Sequence, residues 1–264
     1  MKPIQLDTLD LCIAAFLVLV DVVISIVLGL RLHKQVLLAA VRMVVQLLLV
    51  GFALRIVFTL SSPAMTLAIV ALMVLAAARE VAGRPSQRLH GWANFRIGAI
   101  VVGVSSMATV LLALLTAIRP SPWYDPHYAI PLMGIVLGSV LNSASLGLDT
   151  FFGGVVKGRA EIEARLALGA TCGQALAPLM RDSVRKGLIP IINQMSAAGI
   201  ITLPGIMTGQ ILAGMDPVDA VKYQILLMFL LTGAGGLAAV GAVYLASWAV
   251  TDERHRLRLD RMVQ

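Results

Sequence analysis

Charge is the scarcest commodity in this sequence. Asp, Glu, Lys and Arg make up 13% of its 264 residues, about half the share of an ordinary soluble domain. Hydrophobic residues reach 59% and mean hydropathy is +0.90. Too little polar surface remains to coat a soluble globule, and the same numbers exclude intrinsic disorder. There are only two cysteines, Cys12 in an apolar run and Cys172 in a charged loop, which excludes a disulfide scaffold. No GxxxxGK[ST] loop is present, so the chain has no P-loop route to nucleotide hydrolysis; HExxH and GxSxG are missing as well. His33, His90, His127 and His255 fall in loops or at span ends, which argues against a buried metalloenzyme or serine hydrolase site. The net charge of +7 is scattered singly between apolar runs. That is the pattern of loop charges at a membrane surface, not of a nucleic-acid-binding face.

What the sequence does have is a series of long uncharged runs. About 20 apolar residues cross a bilayer as a helix. Residues 97–118, 187–215 and 223–251 carry no charge, and residues 11–30, 36–58, 63–82 and 129–155 complete a set of seven. The expected fold is an all-α integral membrane protein of about seven transmembrane helices, one membrane domain over 1–264. The first run is not read as a signal peptide, because Asp7 and Asp10 precede it and no small-residue cleavage site follows. Alternate loops hold sixteen basic residues, from Arg31 and Lys34 through the arginines around residue 84 to the tail; the other side holds only Lys2, Arg55, Arg119 and Lys222. The positive-inside rule then puts the N-terminus outside and the C-terminus in the cytoplasm, as expected of a multi-pass protein of a plasma membrane.

The one long hydrophilic segment is 157–188. Within RAEIEARLALGATCGQALAPLMRDSVRKGLIP (159–190), Ile162 and Leu166 are four apart with charges between them, the mark of a short amphipathic helix. Gly169 stands where a glycine ends a helix. Thr171 and Gln174 have the spacing of a capping box that starts a second helix; Pro178 kinks that helix or marks its true start. Two short helices joined at a Gly-Ala turn are therefore expected on the cytoplasmic side, either as a plain connector or as a docking element for a cytoplasmic partner.

Glu163-Ala164, followed by Gly169-Ala170, resembles the E-A-x-x-x-x-G loop by which permeases of ABC transporters contact their ATPase, with Arg165 standing where that family usually has a second alanine. Four further blocks, AAVRMVVQLLLVG (39–51), AAREVAGR (77–84), NSASLGLDTF (142–151) and NQMSAAGIITLPGIMTGQILAGMDPVDAVKYQ (193–224), resemble the FetB family of iron-export permeases, whose plant relatives are tied to aluminium tolerance. The resemblance implies a transport subunit with no nucleotide site or cofactor of its own and no enzymatic activity by itself. ATP and Mg would sit on a separate ATPase, and two permeases would pair with two ATPases in a bacterial inner membrane. It implies export of iron or a related metal, with an organic solute such as a nucleotide sugar as the alternative cargo. An ion-driven secondary transporter is the alternative from another class, although no internal repeat supports it.

Polar groups inside the spans are the remaining candidates. Asp21 lies mid-span in the first run, and Arg42 and Gln46 lie one turn apart in the second. A charge at the bilayer centre costs roughly 2.5–3.5 kcal/mol on insertion scales, so these should face protein, either as an Asp21–Arg42 pair or as part of a route. Asn142 and Ser143 in the fifth span, and Asn193 and Gln194 in the sixth, either hydrogen-bond across helices or offer ligands to cargo. Gly134/Gly138 and Gly205/Gly209 have the four-residue spacing of close helix contacts, and Pro204 is expected to kink the sixth span. No metal ligand set is assigned.

Overall fold

The computed structural model describes residues 7–60, 62–252, 254 and 256–263. Among these, six helices are long and apolar enough to cross a membrane: α1 (Thr8–Val27), α2 (His33–Leu60), α3 (Pro63–Gly83), α4 (Ala93–Leu112), α5 (Pro126–Lys157) and α9 (Pro217–Ala249). Three shorter or more polar helices lie between the last two: α6 (Arg159–Ala167), α7 (Cys172–Ala197) and α8 (Gly205–Leu212). The chain is an all-α multi-pass membrane protein.

Local chemistry sets the long helices. Both α5 and α9 begin with Asp-Pro, the carboxylate capping and the proline at the first turn. Asp125 accepts from the His127 backbone N–H at 2.9 Å, and Asp216 from that of Val218 at 2.9 Å. α4 ends in a wider π turn, Ala113–Ile118, closed by Arg119 in the left-handed region (φ 49°).

The chain forms two compact units. One contains residues 1–62 with 212–214, so α1 and α2 pair there. Their connection is fixed by buried Ser25, whose hydroxyl accepts from the Leu32 N–H at 3.0 Å. The other unit holds α3 to α7 and α9. Its centre is α5, with Phe151, Phe152, Leu148 and Val136 at most 1% exposed.

Close approach in this second unit rests on small residues. A Cβ at Gly187 of α7 would stand 2.7 Å from the Ser143 carbonyl of α5 and 3.2 Å from Ala239 Cβ of α9. A Cβ at Gly235 of α9 would meet Ser143 Oγ at 2.8 Å, and one at Gly98 of α4 would meet the Ala78 carbonyl of α3 at 2.7 Å. Dispersion and close backbone contact, not a hydrophobic drive, hold helices together in lipid. The expected glycine pairs are not these seams. Gly134 nears only Met73 Cε, and Gly138, Gly205 and Gly209 would each have open space around a Cβ.

Two expectations about 157–215 are corrected. α7 is not a short surface helix. It starts at Cys172, runs 26 residues to Ala197, and contains both Pro178 and Pro190. Its charges, Arg181, Asp182, Arg185 and Lys186, stay on an exposed face, while Leu176, Met180, Ser183 and Gly187 are buried. Conversely, the uncharged run 187–215 is not one helix. After Ala197 the backbone leaves the helix; Gly199 has φ +86°, an isolated bridge joins Ala198 to Thr202, and α8 begins only after Pro204. Ile200, Ile201 and Thr202 are β-branched and poor helix formers, and Pro204 biases Leu203 away from helical geometry. Pro204 thus precedes a helix instead of kinking one.

The C-terminal tail is also tied down. β2 (Met262–Val263) pairs antiparallel with β1 (Arg88–Leu89), which follows α3. His90 N–H donates to the Arg261 carbonyl at 2.7 Å, and the Arg261 guanidinium donates to the Ala249 carbonyl at the end of α9 at 3.0 Å.

Candidate functional site

The α6–α7 hairpin follows the expected capping chemistry. Thr171 Oγ1 accepts from the Gln174 N–H at 3.3 Å, and Gln174 Oε1 accepts from the Thr171 N–H at 3.0 Å, a complete capping box. α6 is closed by the Gly169 N–H on the Leu166 carbonyl and the Ala170 N–H on the Arg165 carbonyl, with Gly169 at φ +91°. That conformation favours glycine. Glu163 is half-exposed and receives the Arg159 guanidinium at 2.8 Å; Arg165 pairs likewise with Glu161 at 2.6 Å. Ile162, one residue before Glu163, is buried and anchors α6. Ala164 lies on the exposed side of α6, and Ala170 follows the turn.

A residue the sequence pattern did not single out sits at the tip. Leu168 is 89% exposed, more than any other leucine described. Its signal was in plain sight: an apolar side chain immediately before the turn glycine, out of phase with Ile162 and Leu166.

The intramembrane candidates do not form one constellation. Asn142 Oδ1 accepts from the Arg84 guanidinium at 3.2 Å, which links α5 to the end of α3. Ser143, next to it, is buried in the α5–α7–α9 seam. Asn193 and Gln194 are exposed on α7. Nearby, the Thr232 hydroxyl of α9 donates to the Met228 carbonyl at 2.8 Å and lies 3.2 Å from Met195 Sδ. Asp149 acts as a fastener: its Oδ1 accepts from both the N–H and the hydroxyl of Ser86, each at 2.8 Å, holding the α3–α4 connection against α5.

Asp21, Arg42 and Gln46 belong to the α1–α2 unit and are exposed in the single chain. No ion pair joins Asp21 to Arg42 among the described residues. Arg42 and Gln46 share a shallow groove of about 390 Å³ on α2 with Gln35 and Ala39. Gln35, Arg42 and Gln46, with the small Ala39 between them, recur at helical spacing, so the three polar groups share one face of α2. Gln35 was not among the expected candidates because it lies just before the apolar run 36–58. Among the described residues, no three His, Cys, Asp or Glu side chains converge as a metal site.

Comparison with known proteins agrees with this architecture. No solved structure gives a significant match. A UPF0014 membrane protein of Synechocystis is 41% identical over 215 residues, 80% of this chain and 81% of its own. The probable iron export permease protein FetB of Escherichia coli is 33% identical over 253 residues, 96% of this chain and 95% of its own. The protein ALUMINUM SENSITIVE 3 of Arabidopsis thaliana is 26% identical over 234 residues, 88% of this chain and 83% of its own. The model of the uncharacterised protein family UPF0014 matches residues 8–250, and the chain belongs to that family.

Proposed function

We propose that this chain is the membrane permease subunit of an ABC transporter that exports iron or a related metal across a bacterial inner membrane. Two copies work with two copies of a separate ATPase, which binds ATP and Mg and supplies the energy; this chain has no enzymatic activity of its own. The carrying observation is the α6–α7 hairpin: an ordered turn that presents Leu168 and Gly169 outward within the Glu163–Ala170 pattern. The near full-length similarity to a probable iron export permease supports the cargo.

Helix directions support the count of crossings, and the distribution of basic residues supports the orientation. Ser183 of α7 and Val243 of α9 both meet Gly147 of α5, and Gly187 meets Ser143 and Ala239. α7 therefore runs antiparallel to α5 and α9, and the chain must cross between the start of α7 and the start of α9. α7 and α8 together make that crossing, so the reading has seven crossings, the sixth broken at residues 198–204. The basic ends, which include the hairpin and the tail, face the cytoplasm, and the N-terminus lies outside.

Exposed Asp21 and Gln46 support the second copy, because polar groups in hydrocarbon are costly and a partner helix would cover them. The test is reconstitution: proteoliposomes holding this chain and an ATPase that co-purifies with it are loaded with iron or with a nucleotide sugar. ATP-dependent iron movement is the expected result. Movement of the sugar alone would reassign the cargo, and transport by the chain without any ATPase would overturn the ABC reading.

A further inference from the structure

One cavity begins beside the hairpin, at Cys172 and Gly173, and continues along α7. It lies between α7 and α9 and measures about 800 Å³. Arg181, Val184 and Arg185 line it from α7; Val240, Tyr244 and Trp248 line it from α9. Because Ser183 and Val243 both touch Gly147, the two arginines sit level with the last turns of α9. Tyr244 is 51% and Trp248 70% exposed at that level, the place where aromatic rings meet lipid headgroups. Farther from the helix end the surface turns purely apolar, with Val240 and Leu237 exposed.

The charges here are unevenly matched. Asp182, beside Arg181, is taken by Lys186 at 2.9 Å. Asp252 lines the groove, but its Oδ1 accepts from the backbone N–H groups of Arg254 and Arg256, at 3.0 and 2.8 Å. An adjoining depression that shares Trp248 and Asp252 adds Arg254, Arg256, Arg258 and Arg261. Of these, Arg258 is paired with Asp260 and Arg261 with backbone carbonyls. Among the described residues, no carboxylate forms a salt bridge with Arg181, Arg185, Arg254 or Arg256.

We propose that this groove is a binding site for an anionic phospholipid. The headgroup phosphate takes the guanidinium groups of Arg181 and Arg185, which suit bidentate phosphate contacts, and an acyl chain lies along Val240 and Leu237. The occupant is a lipid because the phosphate-binding charges stand at the aromatic boundary of a membrane-spanning helix and open onto its apolar face. The inference rests on α9 crossing a membrane, not on the cargo or on the ATPase.

The test is native mass spectrometry of the purified chain in detergent, titrated with dioleoylphosphatidylglycerol or dioleoylphosphatidylcholine. The phosphatidylglycerol should be retained in preference, one molecule per chain. Arg181→Gln with Arg185→Gln should weaken that retention by roughly thirtyfold, and the double lysine variant should restore part of it. Both arginines are exposed, so an unchanged melting temperature in detergent verifies the fold of each variant. Equal retention of both lipids, or an unchanged double glutamine variant, would overturn the site. Displacement of the lipid by millimolar inorganic phosphate would show a soluble-anion site instead. Loss of ATPase co-purification with lipid retention intact would assign the groove to a protein partner.

Discussion

Gly169→Val is the sharpest probe of the coupling hairpin. Gly169 holds φ +91°, and a Cβ there would meet nothing within 4 Å. The substitution therefore creates no clash, and its cost is conformational: roughly 1–2 kcal/mol for placing an L side chain in left-handed backbone, at the upper end for a β-branched one. That amount shifts the turn equilibrium by about five- to thirtyfold. α6 has nine residues and one buried anchor, Ile162, whereas α7 is tied to α5 and α9 at Gly187. The strain should thus be relieved by moving the turn, leaving the bundle folded. Gly173→Ala is the control, since Gly173 has open space and sits in the first turn of α7, where alanine improves helix propensity by about 1 kcal/mol. The assay is co-purification of the ATPase followed by ATP hydrolysis and transport in proteoliposomes. Gly169→Val should insert normally yet lose coupling, and Gly173→Ala should match the parent. If Gly169→Val binds the ATPase and transports at the parental rate, the hairpin is a connector and the coupling assignment falls.

Four further outcomes are expected. Leu168→Asp should abolish ATPase capture with no loss of thermal stability, because the side chain is 89% exposed; Glu163→Ala should weaken it less, and pull-down from membranes measures both. Asp149→Ala removes two hydrogen bonds from Ser86, worth about 1–3 kcal/mol in total, so amide exchange in residues 85–89 should accelerate; unchanged protection there would show that the connection is held by other contacts. Asp21→Leu would make an exposed helix more apolar, and cross-linking should nevertheless show a smaller dimer fraction; an undiminished dimer would place this group elsewhere than at the copy–copy boundary. Asp260 is depressed to about 2, chiefly by its hydrogen bond from Arg258. A depressed acid adds stability that is full above its unfolded value, about 3.9, and lost as pH falls through the folded one. A carboxyl NMR titration should therefore give a midpoint near 2, and Arg258→Gln should move it up toward the ordinary range.

Hydropathy made the long helices legible because a bilayer demands uncharged length, and α3, α4, α5 and α9 fall close to the runs that display it. Local backbone chemistry was equally readable: the Thr171–Gln174 box and the Gly169 turn involve neighbours in sequence. The broken run 187–215 was misread because hydropathy is blind to backbone path, although the β-branched triplet 200–202 and Pro204 carried the warning. α7 was shortened because four charges looked like a loop, when their spacing keeps them on one exposed face. Which glycines form seams depends on partners such as Ser143 and Ala78, and no single-chain spacing names them. The two-residue ladder between β1 and β2 is too short to leave any periodic trace. At the candidate site, the loop pattern was readable, and the out-of-phase Leu168 beside Gly169 marked an exposed apolar side chain, although its 89% exposure is a property of the packed hairpin.

The tight fit at Gly187 has a mechanical meaning. With backbone and small side chains closing on it from α5 and α9, Gly187 is the fulcrum of a rod that extends from Cys172 to Ala197. At 1.5 Å per residue, the arm toward the hairpin is roughly 22 Å long and the arm toward the break roughly 15 Å. A sideways push on the hairpin end is delivered to residues 198–204 in the opposite direction, reduced by about a third. The unwound segment stands at the end of a lever, and a bulkier residue at 187 would seize its pivot.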